Sequence, residues 1–300
     1  MMRLLRRAVP APNILLSVLV VVTLAVSAIL WVSSPAGGDK YSELGVSLFV
    51  SALVGLGLLL IERSFARTAE AGERASAEER RFLTSLLQSD DLQGVSMRGR
   101  DLSSLVFSGR DLGGADLSLA ILDRADLRSA SLARATLDGA TAIGANFVRS
   151  DLREARASGL DASTSTFEAA NCSEVIFTDS RFVDCTMAGA TLFRATLDRS
   201  DFTRADLKRT VFDRVEATGA LFEYADLRAS SFASAVLTDV CFGSADLRGA
   251  NFTGATLDAP DLRGTDLRDS ILKSTAIRNA RTDHQTRWPD GYTPSPLGGL

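Results

Sequence analysis

Apolar residues follow three different rhythms along this chain. From Ala8 to Gly38 no side chain is charged, and residues 14–32 are almost entirely Leu, Val, Ile and Ala. Nineteen residues of helix rise about 28 Å, close to the ~30 Å of bilayer hydrocarbon. A second uncharged run covers residues 44–61, with Gly55 and Gly57 inside it. The link between them is short and turn-like, so the two runs predict an antiparallel hairpin of transmembrane helices over residues 1–61. Residues 62–89 then alternate in charge, are rich in Ala and hold no Pro. They predict a solvated juxtamembrane helix, with Phe82, Leu83, Leu86 and Leu87 as a short apolar stripe at its end.

The third rhythm has a period of five. Stepping from Leu92 through Met97, Leu102 and Phe107 to Leu272 and Ile277 visits 38 positions without a slip. Nineteen are Leu and eleven are Phe; Met, Ala, Cys and Ile fill the rest, and none is polar. Two residues earlier stands a small residue, as at Ala115, Ala120, Ala125 and Ala205. One residue earlier, Asp, Asn, Thr and Ser are common, as at Asp116, Asp126 and Asn146. A period of five fits neither a continuous helix nor a continuous strand. The chain must turn once per unit so that every Leu or Phe points inward, which predicts a solenoid with a narrow apolar axis. Leu117, Leu127, Phe202, Leu227, Leu247 and Phe252 are expected in that core.

The pattern weakens at two places. Asp90, Val95, Arg100 and Leu105 occupy the small position near the start, as a terminal coil would. Between residues 155 and 166 the central residues are only Ala157 and Ala162, while Leu160 takes the small position. A bulge or loop is expected there, with Leu160 filling the space. After residue 281 the phase breaks, and Trp288 and Tyr292 are expected to cap the open end within a tail at 282–300.

Units such as Ala115-Asp116-Leu117-Ser118-Leu119 and Ala245-Asp246-Leu247-Arg248-Gly249 resemble the pentapeptide-repeat family over roughly residues 90–281. The resemblance implies a right-handed quadrilateral β-helix, all-β, with four units per coil. Residues twenty apart then stack, and the rod has about nine and a half coils and a length of about 45 Å at ~4.8 Å per coil.

Orientation follows from Lys and Arg near the helix ends. Arg3, Arg6 and Arg7 precede the first run, Arg63 and Arg67 follow the second, and the link carries only Lys40. The expectation is a multi-pass protein of a bacterial inner membrane with the repeat domain cytoplasmic. A cleaved signal peptide is the competing reading, but the first run exceeds the 7–15 residues of an h-region and a second run follows.

Composition narrows the chemistry. One His in 300 residues argues against a Ser-His-Asp triad or a His-based metal site. Three Cys without C-x-x-C spacing argue against a disulfide scaffold or redox site; Cys172 and Cys185 are expected inward and Cys241 outward. No phosphate-binding loop is present, and His284 reads as structural. The expectation is a non-catalytic scaffold without cofactor, metal or small-molecule substrate, acting on an unidentified protein partner. With twenty-residue stacking, Lys208, Arg228, Arg248 and Arg268 form a basic column beside Asp206, Asp226, Asp246 and Asp266. That column is either a self-neutralising ladder or a stripe for an anionic partner. The resemblance also implies an alternative, because some family members are acidic DNA mimics that modulate topoisomerases. The repeats hold 28 acidic and 21 basic residues over 90–277, a net charge of −7 with Arg interspersed, and no direct nucleic-acid contact is expected.

Overall fold

A computed structural model describes residues 78, 81–86, 88, 89 and 91–293. The expected spans at 14–32 and 44–61, and most of the expected helix at 62–89, lie outside the described residues. Among the described residues, no helix is long and apolar enough to cross a membrane. The chain divides into two units, Met1–Gln88 and Ser89–Leu300. In the first, residues 81–86 are helical, with Leu86 buried and Phe82 and Leu83 half-buried.

The second unit is a four-sided parallel solenoid. From Asp91↔Asp111 to Asp261↔Arg281 every bridge joins residues twenty apart, and every bridge is parallel. Four pentads therefore make one coil. The four faces begin at Asp91, Ser96, Asp101 and Val106, and are called first to fourth below. On the second face the ladder widens into a regular sheet in the C-terminal half. Its strands are β1 (Glu216–Thr218), β2 (Val236–Thr238), β3 (Thr256–Asp258) and β4 (Ala276–Arg278), in that order.

One pentad shows how the sequence makes the turn. Leu117 N–H donates to the Thr136 carbonyl one coil on (2.7 Å), and Leu119 N–H to that of Asp138 (2.9 Å). Thr136 N–H donates back to the Ala115 carbonyl (2.9 Å), and Ala120 N–H closes the turn on the Leu117 carbonyl (3.0 Å). The corner residue, two past the central one, has positive φ in every pentad from Gly94 to Asn279. Only twelve of these corners are Gly; the rest include Arg, Asp, Ala and Tyr224. Each non-glycine corner opposes folding by roughly 1–2 kcal/mol of left-handed strain, offset by the ladder bonds and inward burial of its unit.

The core is the central column together with the small column. Leu117, Leu127, Phe202, Leu227, Leu247 and Phe252 are all at most 1% exposed. Along the third face Phe182, Phe202, Phe222 and Phe242 stack at 4.8, 5.0 and 5.3 Å. On the first face Phe212, Phe232 and Phe252 stack at 4.7 and 5.0 Å. The two columns meet edge to face across the axis, as at Phe212–Phe222 (5.8 Å). Each such pair adds about 0.5–1.5 kcal/mol beyond its buried area.

The expected bulge at 155–166 does not occur. Arg156 pairs with Ile176 and Asp161 with Arg181 in the ordinary register. Ala157, Leu160 and Ala162 are fully buried. Moving volume from the central to the small position keeps the axis filled, so the backbone has no reason to deform. Ser180 uses the altered space: its hydroxyl donates to the Ala157 carbonyl (2.7 Å) and accepts from Leu160 N–H (3.2 Å).

The end of the rod slips by one residue. Asp266 pairs with Arg287, twenty-one positions on. Asp283 holds the extra residue by accepting from the N–H groups of Gly264 (2.9 Å), Gln285 (3.0 Å) and Thr286 (3.0 Å). Trp288 then falls in the central phase and stacks on Tyr292 at 5.0 Å, both half-buried. Leu272 and Ile277, fully expected in the core, are only half-buried at this end.

Two stability predictions follow from this packing. Leu160→Ala should cost about 2–5 kcal/mol in chemical denaturation, because neither Ala157 nor Ala162 can refill the space; a loss under 1 kcal/mol would refute the volume exchange. Ala229→Gly, at an exposed corner with φ 55°, should stabilise by roughly 1 kcal/mol, the reverse of the usual Ala-to-Gly effect, with Ala225→Gly on the buried column as the destabilising control.

Candidate interaction surface

Since two of every five side chains fill the axis, any recognition must use the other three positions. The fourth face carries the basic column expected from the sequence, and the structure aligns all four of its cations. Lys208 contacts Asp206 (2.8 Å) and reaches Asp226 one coil on (3.4 Å). Arg228 contacts Asp226 (2.7 Å) and reaches Asp246 (3.7 Å). Arg248 contacts Asp246 and Arg268 contacts Asp266, each at 2.6 Å. Arg287 then approaches Asp266 at 3.8 Å. The column is a zigzag of alternating charge rather than a bare positive stripe.

The geometry has a local cause. An Asp one residue before the central position accepts the N–H two residues on, as Asp266 does from Arg268 (3.2 Å). The side chain at that second position lies beside the same carboxylate, so an Arg there forms a two-pronged pair. The Arg268 hydrogen bonds hold the Asp266 carboxyl below the usual carboxylate range. Arg263 does the same to Asp261, whose side chain is 4% exposed and also 3.5 Å from Arg281. Hydrogen bonding to Asp246 raises Arg248.

A second charge ladder, at the corners, was not anticipated. Glu174, Asp179 and Asp184 face Arg194, Arg199 and Arg204 one coil on, at 3.8, 2.6 and 2.7 Å. Their twenty-residue offset was readable, but corner residues vary so much in kind that no column stood out. Arg209 and Arg214 continue the run of corner arginines.

The cysteines divide as the phase dictates. Cys172 and Cys185 are buried and Cys241 is half-buried. Burial pushes the Cys172 thiol up to about 12 and raises Cys185 as well. Cys241 Sγ lies 3.3 Å from Glu223 Oε1, and its thiol is also raised, chiefly by burial. His284 is exposed in the tail. Among the described residues, no cluster of His, Cys, Asp and Glu is arranged to hold a metal ion.

The profile described as pentapeptide repeats matches in eight copies, over residues 101–137, 130–168, 170–209, 210–249, 235–273 and 250–281. The chain belongs to the pentapeptide-repeat family. Its solenoid is the right-handed β-helix of that family. Solved structures similar to it include HetL, a pentapeptide repeat protein involved in heterocyst differentiation regulation from the cyanobacterium Nostoc sp. Strain PCC 7120. That match is 25% identical, covers 67% of this chain and 92% of HetL, and has a TM-score of 0.44. QnrB1, a plasmid-mediated fluoroquinolone resistance protein, is 18% identical over 65% of this chain and 92% of its own, with a TM-score of 0.46. No match was found among curated proteins.

The carboxylate pairs predict an acid dependence of definite sign. Carboxyls depressed in the folded state contribute fully above the ordinary carboxylate pKa of about 3.9, and that contribution is lost as pH falls through the depressed value. Thermal unfolding should therefore shift little between pH 7 and 5 and fall steeply below about 4. Asp266→Asn should flatten the acid limb; an unchanged slope would show that the pair carries no linkage.

Proposed function

We propose that this chain is a membrane-anchored, non-catalytic scaffold whose repeat rod docks a protein partner on the cytoplasmic side. The anchor rests on the two uncharged runs at 14–32 and 44–61, and the orientation on the excess of Arg outside the link. The observation that carries the scaffold reading is the sealed axis. Central and small positions are consumed by packing, so the outward positions form flat, rigid faces repeating at ~4.8 Å. Rigid faces bind with little ordering cost, which suits a docking module.

The DNA-mimic alternative requires an extended field of one sign. The Asp column of the fourth face is instead matched by cations at 2.6–2.8 Å, which confines its field to short range. Topoisomerase modulation is therefore the weaker reading.

Anchoring and docking are tested separately. The full chain should stay with membranes in alkaline carbonate and be released by deletion of residues 1–61. An alkaline phosphatase fused after Leu300 should be inactive, and a green fluorescent protein there should fluoresce; the opposite pair would reverse the orientation. A photocross-linking residue placed in turn on each of the four faces should give a discrete protein adduct from at least one. Four faces without adducts would reject docking.

A further inference from the structure

The four faces differ sharply in charge. On the first face, the outward positions run from Asn171 and Ser173 to Asn251 and Thr253 across five coils, about 19 Å at ~4.8 Å per coil. Corners aside, Asp213 is the sole ionisable side chain among them. Its carboxylate is already occupied, accepting from Ser231 Oγ and from Ala233 N–H (3.0 Å). Asn171 Oδ1 accepts from the Ser173 hydroxyl (2.7 Å), and Asn251 Oδ1 from that of Thr253 (2.6 Å). These acceptor oxygens are satisfied within the face, so covering it with a partner leaves few acceptors stranded. Phe193 and Val211 stand half-buried in the middle.

The rim of this face carries three arginines and one acid, Glu174. Arg209 lies at one corner, and Arg194 and Arg214 at the other. Arg194 and Arg214 both approach the Phe193 ring, at 5.1 and 5.8 Å from its centroid. Arg194 has only a long contact to Glu174 (3.8 Å). Arg209 and Arg214 make no ion pair among the described residues, in contrast to the paired arginines at 199, 204, 228 and 248. Beside this rim, Arg194, Arg214, Thr196, Glu216, Ser234 and the half-exposed Val236 line an open recess of about 560 Å³.

We propose that the first face between residues 171 and 253 is a docking surface for an acidic protein segment carrying apolar side chains. It rests on the scaffold reading and assigns the site and the partner's chemistry. A neutral floor with an aromatic at its centre and arginines at its edge has the anatomy of a protein interface. The apolar side chains of the partner cover Phe193 and Val211. Its carboxylates meet Arg209 on one side and Arg194 and Arg214 on the other, held away from Glu216. Stacking on Phe193 keeps the two guanidinium groups oriented before binding, which limits the ordering cost.

The test uses the full chain in mild detergent and two fluorescein-labelled peptides, one alternating Glu with Leu and Phe, the other with Gln replacing every Glu. Fluorescence polarisation should show at least tenfold tighter binding of the Glu peptide, weakening as salt rises. The double variant Arg209→Glu/Arg214→Glu should lose at least tenfold, and Phe193→Ser several-fold. Arg124→Glu, at the corner between the third and fourth faces, should change nothing, with circular dichroism confirming that each variant is folded. Equal binding of the two peptides, no binding of the Glu peptide, or indifference to the double variant would overturn the proposal. So would stronger, Arg209- and Arg214-dependent binding to phosphatidylglycerol vesicles, which would assign the arginines to a lipid surface. Cross-linked adducts arising only from the other faces would overturn this surface while leaving the scaffold reading intact.

Discussion

A chain that must bend every five residues has little freedom in what it places where. Two side chains per unit point at the axis, one residue enters the left-handed region, and the remaining positions face water. The backbone bonds to the coil above and below, so each unit's polar groups are satisfied only if its neighbours hold the same register. Everything else in the rod depends on that shared register. The phenylalanine columns stack because residues 182, 202, 222 and 242 are brought into line by the ladder, and Arg199 and Arg204 meet Asp179 and Asp184 for the same reason.

The axis was legible because burial permits so few residue types there. An unbroken apolar series dominated by Leu and Phe left no other way to hide them, and the four-unit coil emerges as a twenty-residue ladder from Asp91 to Arg281. The region around Ala157 was harder. Sequence pattern treats the central and small positions as separate columns, whereas the interior responds to their combined volume, and Leu160 supplies what its neighbours lack. The terminal slip was visible as a break in phase, but not its size, which depends on Asp283 bonding three N–H groups at once.

The surface was less legible than the core. The basic column at 208, 228, 248 and 268 stood out by composition, yet its cations lean on the aspartates two residues before them. The neutral first face carries no sequence motif, because neutrality leaves none. It becomes visible only when residues twenty apart are laid side by side and Asp213 is found alone among them. What distinguishes one face from another is a contrast, and a contrast has no counterpart in any single repeat.

The lattice of twenty and five also governs how such a rod can change over generations. Duplicating twenty residues adds one coil and returns every later side chain to its original side. Duplicating five rotates everything downstream by a quarter turn, moving Phe193 and Val211 out of line with what precedes them. Length and compass bearing are thus separate inheritable quantities here, and an extra multiple of twenty can extend the reach of the molecule while each of its four sides keeps the same heading.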